Sequence, residues 1–79
     1  MSDIYGSDEW WKAVGERIKV SRIQRGLSLM ELSLLCNFWD LQILESFEKG
    51  NKTSLNPDGI NELCKKLKCD PKWLLFGPS

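Results

Sequence analysis

The sequence predicts an all-α domain of five short helices. Two observations carry that prediction: helix-capping residues recur ahead of short apolar runs along the chain, and no segment alternates with period two over a useful length. A third bounds it. The 79 residues suffice for one domain, residues 1–79, with a small core and no cleft backed by its own supporting shell.

Each helix has its own start and stop. Ser7, followed by Asp8 and Glu9, caps the first helix and places acids where the helix dipole favours them. Trp11, Val14 and Ile18 then repeat at helical spacing up to a stop at Gly26, while residues 1–8 are expected to form a loose extension. Ser28 with Glu31 three residues on forms a capping box, which opens a second helix running to about Cys36; Asn37 is suited to the left-handed conformation that would end it. Asp40 caps a third helix through Glu48 or Lys49, closed by Gly50, so residues 28–49 form a helix pair. Beyond the polar loop NKTS, Asn56 is a cap and Pro57 occupies the first helical position, where its missing N–H costs nothing. Ile60, Leu63, Cys64 and Leu67 line one face of this fourth helix. Asp70 and Pro71 repeat the device before KWLLFG, a fifth helix stopped by Gly77 and Pro78, so residues 56–77 form a second helix pair.

Eleven Lys and Arg balance eleven Asp and Glu, so any nucleic-acid face must arise from uneven placement. The placement is uneven. Residues 10–27 hold Lys12, Arg17, Lys19, Arg22 and Arg25 against Glu16 alone; residues 28–48 hold Glu31, Asp40, Glu45 and Glu48 and no base; residues 49–79 hold six lysines against Asp58, Glu62 and Asp70. Cys36, Cys64 and Cys69 are odd in number, lack a CxxC spacing and have no His to join them. Neither a metal site nor a complete disulfide framework is expected, and no cofactor. With no charged-then-apolar leader and no apolar stretch long enough to span a bilayer, the reading is a cytoplasmic protein without a membrane partner. The chain lacks His, a nucleophile beside a base and a glycine-rich phosphate loop. It is therefore read as no enzyme, with no small-molecule substrate.

Two short helices set between a longer first helix and a closing pair form the layout of a helix-turn-helix domain. The runs GERIKVSRIQRGLS (Gly15 to Ser28), EKG (Glu48 to Gly50) and INELCKKLKCDPKWLLFG (Ile60 to Gly77) resemble the Cro and lambda-repressor type of helix-turn-helix domain, common among phage repressors and small bacterial regulators. The resemblance spans roughly residues 13–77, with its most specific part at the close. It implies a pairing of Arg22 with Glu48 and a core containing Leu27, Leu32, Cys36 and Leu44. It also implies a homodimer on duplex operator DNA, with the third helix in the major groove.

Three features depart from the family pattern. Leu29 stands where a polar phosphate anchor is usual; the turn Asn37 to Trp39 carries one extra residue and no glycine; and the third helix presents Leu41, Gln42, Glu45 and Ser46 outward without a base. Gln42 can read adenine and Glu45 can accept from cytosine, while Lys49, Asn51, Lys52 and Thr53 offer a backbone grip. The same segment is rich in apolar residues at Leu29, Met30, Leu34, Leu35, Phe38, Trp39 and Leu41. On the surface these would form a contiguous patch of the kind that marks a protein partner site. Folded inward, Phe38 and Trp39 would instead make up core volume missing at Ser21. Trp10 and Trp11 either cover the end of helix one or meet a partner.

Two functional readings follow. In one the chain is a Cro-type regulator that contacts DNA through its third helix and the following loop. In the other it is a protein-binding module on the same fold, an antirepressor or a repressor's partner, acting on another regulatory protein.

Overall fold

A computed structural model describes residues 6–78 of the chain, and among them it contains helices and no strand. The helices are α1 (Asp8–Gln24), α2 (Leu29–Leu35), α3 (Leu41–Glu48), α4 (Pro57–Leu67) and α5 (Pro71–Phe76). Each begins at a capping side chain. Ser7 Oγ accepts the Trp10 N–H at 3.1 Å, and Asp40 Oδ1 accepts that of Ile43 at 2.8 Å. Asn56 and Asp70 do the same two residues ahead, at 2.8 and 3.1 Å. The capping box is complete: Ser28 Oγ accepts the Glu31 N–H at 3.0 Å, and Glu31 Oε1 accepts the Ser28 N–H at 2.8 Å.

Two local expectations are corrected. The expected loose extension does not reach residue 8, because Ser7 is already a cap and Asp8 already helical; residues 1–5 lie outside the described residues. Asn37 does not end α2 by a left-handed turn. Cys36 closes that helix in extended conformation, and Lys68 is the residue other than glycine with positive φ among the described residues. That lysine ends α4 in a Schellman arrangement: Cys69 N–H donates to Cys64 O at 3.0 Å and Lys68 N–H to Lys65 O at 3.3 Å.

The long α1 supports the rest, packing against α3, α4 and α5. Val14 and Ile18 are sealed from solvent together with Leu32, Leu44, Phe47, Leu63, Leu67 and Leu74. Both N-terminal tryptophans join this core: Trp10 and Trp11 meet edge to face with centroids 4.9 Å apart, and Trp11 reaches Phe47 at 6.1 Å. Gly15 allows α1 to approach α3, since a Cβ there would collide with the Phe47 carbonyl oxygen and lie 2.9 Å from that of Glu48.

Candidate nucleic-acid interface and the apolar face beside it

α3 is held at both ends. At its C-terminus Arg22 makes a two-pronged contact with Glu48, Nε to Oε2 at 2.7 Å and Nη2 to Oε1 at 3.1 Å, and gives its third donor to Leu27 O at 2.8 Å. One guanidinium thereby ties α1, the start of the helix pair and the end of α3. The Glu48 hydrogen bond raises the Arg22 pKa despite partial desolvation, so the guanidinium stays charged.

The outer side of α3 exposes Gln42 and Glu45, with Leu41 and Ser46 half-buried. Past Lys49, the chain folds back on the helix: Gly50 N–H donates to Phe47 O at 3.0 Å, and Asn51 donates twice to Ser46, from N–H to O and from Nδ2 to Oγ, both at 3.1 Å. Lys49, Asn51 and Lys52 are exposed and Thr53 half-buried. The candidate DNA contacts thus lie along α3 and the loop that follows it, although Ser46 and Asn51 already bond each other. The structure adds one residue that the sequence reading missed. A cavity of about 300 Å³ is lined by Lys19, Arg22, Leu29, Glu45, Glu48 and Lys49, so Lys19 of α1 joins Lys49 beside Glu45. The basic run of α1 held that signal, but spacing alone does not say which of its residues turns toward α3.

The connection from α2 to α3 is five residues long, Cys36–Asp40, and is pinned from below by α4. The Glu62 carboxylate accepts the Asn37 N–H at 2.7 Å and the Phe38 N–H at 3.0 Å. Desolvation pushes the Glu62 pKa up, but the two backbone donors and Lys66 outweigh it, leaving this carboxyl below its ordinary value. Trp39 enters the core. Its indole N–H donates to Gly59 O at 2.8 Å, and its ring stacks on Phe47 at 5.3 Å.

Trp39, at 4% exposure, is thus removed from the surface patch. The wide indole is the group that fills the gap between the connection and α4, and glycine at 59 admits it: a Cβ there would lie 3.3 Å from the ring. Leu29 is also corrected, being partly buried against the core, and Leu41 is half-buried. Met30, Leu34, Leu35 and Phe38 remain on the surface. Phe38 does not fill the volume at Ser21, since its side chain is half exposed.

The thiols are free. Burial and Glu62 push Cys36 up to about 11 against the opposing Lys66, so it is a neutral thiol at pH 7. Among the described residues no group of three or more His, Cys, Asp or Glu could hold a metal ion, and no helix is long and apolar enough to cross a membrane.

No family model matches the chain, and no curated protein matches it. Among solved structures it is similar to the crystal structure of the DNA-binding domain of BldD. The identity is 25% and the TM-score 0.70, and the match covers 87% of this chain and 97% of that one. The chain thus shares the all-helical fold of a small DNA-binding domain.

Proposed function

We propose that the chain is a small transcription regulator of the Cro and lambda-repressor type, a cytoplasmic homodimer that binds duplex operator DNA. The observation that carries this reading is the likeness to a DNA-binding domain over nearly that domain's whole length. In this reading α3 lies in the major groove. Gln42 reads adenine through its paired donor and acceptor, Glu45 accepts from the cytosine amino group, and Leu41 meets a thymine methyl. Lys49, Asn51, Lys52 and Thr53 hold one phosphate strand, aided by Lys19 across the cavity. Two-fold symmetry would place two such helices on half-sites about one DNA turn apart.

The electrostatic support is modest, because α3 carries no base of its own. Fluorescence anisotropy of a labelled random-sequence duplex is the test. At low salt the protein should bind with Kd in roughly the micromolar to 100 micromolar range, weakening steeply as salt rises. Lys52→Glu should weaken binding to every sequence and reduce the salt slope by about one or more. Absence of binding at low salt, or an unchanged slope in the variant, would count against the reading.

A second reading rests on a separate observation, the exposure of Met30, Leu34, Leu35 and Phe38 within one short stretch of the chain. In that reading the same fold is a protein-binding module, an antirepressor or repressor partner.

A further inference from the structure

Four large apolar side chains face water along one edge of the molecule: Leu34 is 77% exposed, Met30 52%, Phe38 50% and Leu35 47%. The fold accounts for none of them. Met30 and Leu34 stand one turn apart on α2, on the side opposite the sealed Leu32. Leu35 and Phe38 are three residues apart and so at most about 11 Å from one another. The backbone between them is held by the Glu62 carboxylate, which makes the apolar edge a fixed surface.

A cleft continues this edge. Phe38 and the part-exposed Ile43 line an opening of about 180 Å³ together with Thr53, Asn56, Gly59 and the buried Trp39. An apolar stripe one helix long, ending in a hole with an aromatic floor, is the form that receives an amphipathic helix with one anchoring side chain.

The charges select among occupants. No Lys or Arg occurs between Arg25 and Lys49, and the exposed acids of that segment are Glu31 on α2, Asp40 ahead of α3 and Glu45 on α3, whereas Asp58 shares an opening on α4 with Lys65 and Lys66. Glu48 is neutralised by Arg22, and Lys66 lies against Glu62. A second copy docked on the same stripe by two-fold symmetry would bring acids against acids, which disfavours association. A partner rimmed with bases would gain where a second copy loses.

We infer that the α2 stripe and the adjoining cleft dock an amphipathic helix of another protein, its apolar side on Met30, Leu34, Leu35 and Phe38 and its flanking lysines or arginines against Glu31 and Asp40. The inference rests on the second reading above, that this face serves a protein. The area is adequate: about 400 Å² of apolar surface with a polar rim of similar size makes up one side of a standard interface.

The test uses two synthetic helical peptides with leucines at i, i+3, i+4 and i+7, one flanked by lysines and its twin by glutamates, titrated calorimetrically into the full chain. The lysine peptide should bind at least about tenfold more tightly than the glutamate peptide. Leu34→Asp should weaken the lysine peptide by about tenfold or more while leaving the helical circular dichroism intact. That variant adds an acid, so a purely electrostatic attraction would strengthen instead, and strengthening would overturn the inference. Equal binding of the two peptides, lost in Leu34→Asp, would overturn the basic partner and leave the protein-binding reading standing. No binding of either peptide would overturn both. Self-association of the wild-type chain in sedimentation, abolished by Leu34→Asp, would overturn the inference in favour of a second copy.

Discussion

The helix pair α2–α3 and the helix pair α4–α5 are built with the same local devices and use their apolar residues differently. In α4–α5, two cap-and-proline starts set two helices that turn Ile60, Leu63, Cys64, Leu67 and Leu74 inward and leave Phe76, at the end of α5, exposed. In α2–α3, Leu32, Leu44 and Phe47 turn inward while Met30, Leu34, Leu35 and Phe38 turn out. A small domain rarely leaves so much apolar surface in one place without a use for it. The two halves also differ in how they are joined. α4 meets α5 through a Schellman turn made by their own backbone, whereas the α2–α3 connection depends on Glu62 and Gly59 of α4. The second pair thus sets the geometry of the first.

Removing the indole should break that dependence with the largest effect. Trp39→Ala deletes a buried ring stacked on Phe47 and the hydrogen bond to Gly59, and should destabilise the protein by about 3–5 kcal/mol. For a chain of this size that is an appreciable part of the total. Urea denaturation followed by far-ultraviolet circular dichroism measures it; a loss below about 1 kcal/mol would return Trp39 to the surface and enlarge the apolar patch.

The contrast between the pairs is also a contrast in legibility. Asn56–Pro57 and Asp70–Pro71 are readable because a cap and a proline act within one turn of chain, and the face of α4 follows from spacing alone. The five caps, the capping box and the all-helical architecture were legible for the same reason. Phe38 and Trp39 were not. They are adjacent aromatics in an irregular connection, where no period assigns a face; the glycine that admits an indole lies 20 residues on, so the structure reverses the order of burial that one would guess. Glu62 was illegible likewise, since nothing in the spacing of α4 says that the α2–α3 connection lies over it. Lys68 shows a third kind of miss, because a left-handed residue is anticipated at glycine or asparagine and here a lysine takes it. The candidate DNA contacts on α3 and its loop were named from the sequence, and Lys19, which depends on how α1 crosses α3, was not.

A middle-sized effect should come from the carboxylate that fastens one pair to the other. Glu62→Gln leaves a single oxygen acceptor where two backbone N–H groups converge, at a cost of about 1 kcal/mol at pH 7 after allowance for solvent screening. The folded-state pKa of Glu62 lies below its ordinary value, so this stability is present in full above the unfolded pKa of about 4.3 and is lost as pH falls through the folded pKa. The wild type and the variant should therefore differ at pH 7 and converge as pH falls through the folded-state pKa, in parallel urea titrations. A gap that persists into acid would assign the effect to packing and not to the charge.

The smallest effect lies within the second pair and has the opposite sign. Lys68 holds φ 55 and ψ 48 at the end of α4, a conformation that costs a residue with a Cβ about 1 kcal/mol. Lys68→Gly removes that strain, but glycine also frees the unfolded chain, giving back about half of the gain. A further few tenths are lost with a positive charge at the negative end of the helix dipole. The balance is a rise of about 0.5 kcal/mol or less, read as a small upward shift of the urea midpoint with the slope unchanged. A fall instead would mean that the lysine's charge at the helix end outweighs its strain. The α4–α5 junction would then owe its stability to electrostatics, as the α2–α3 connection does through Glu62.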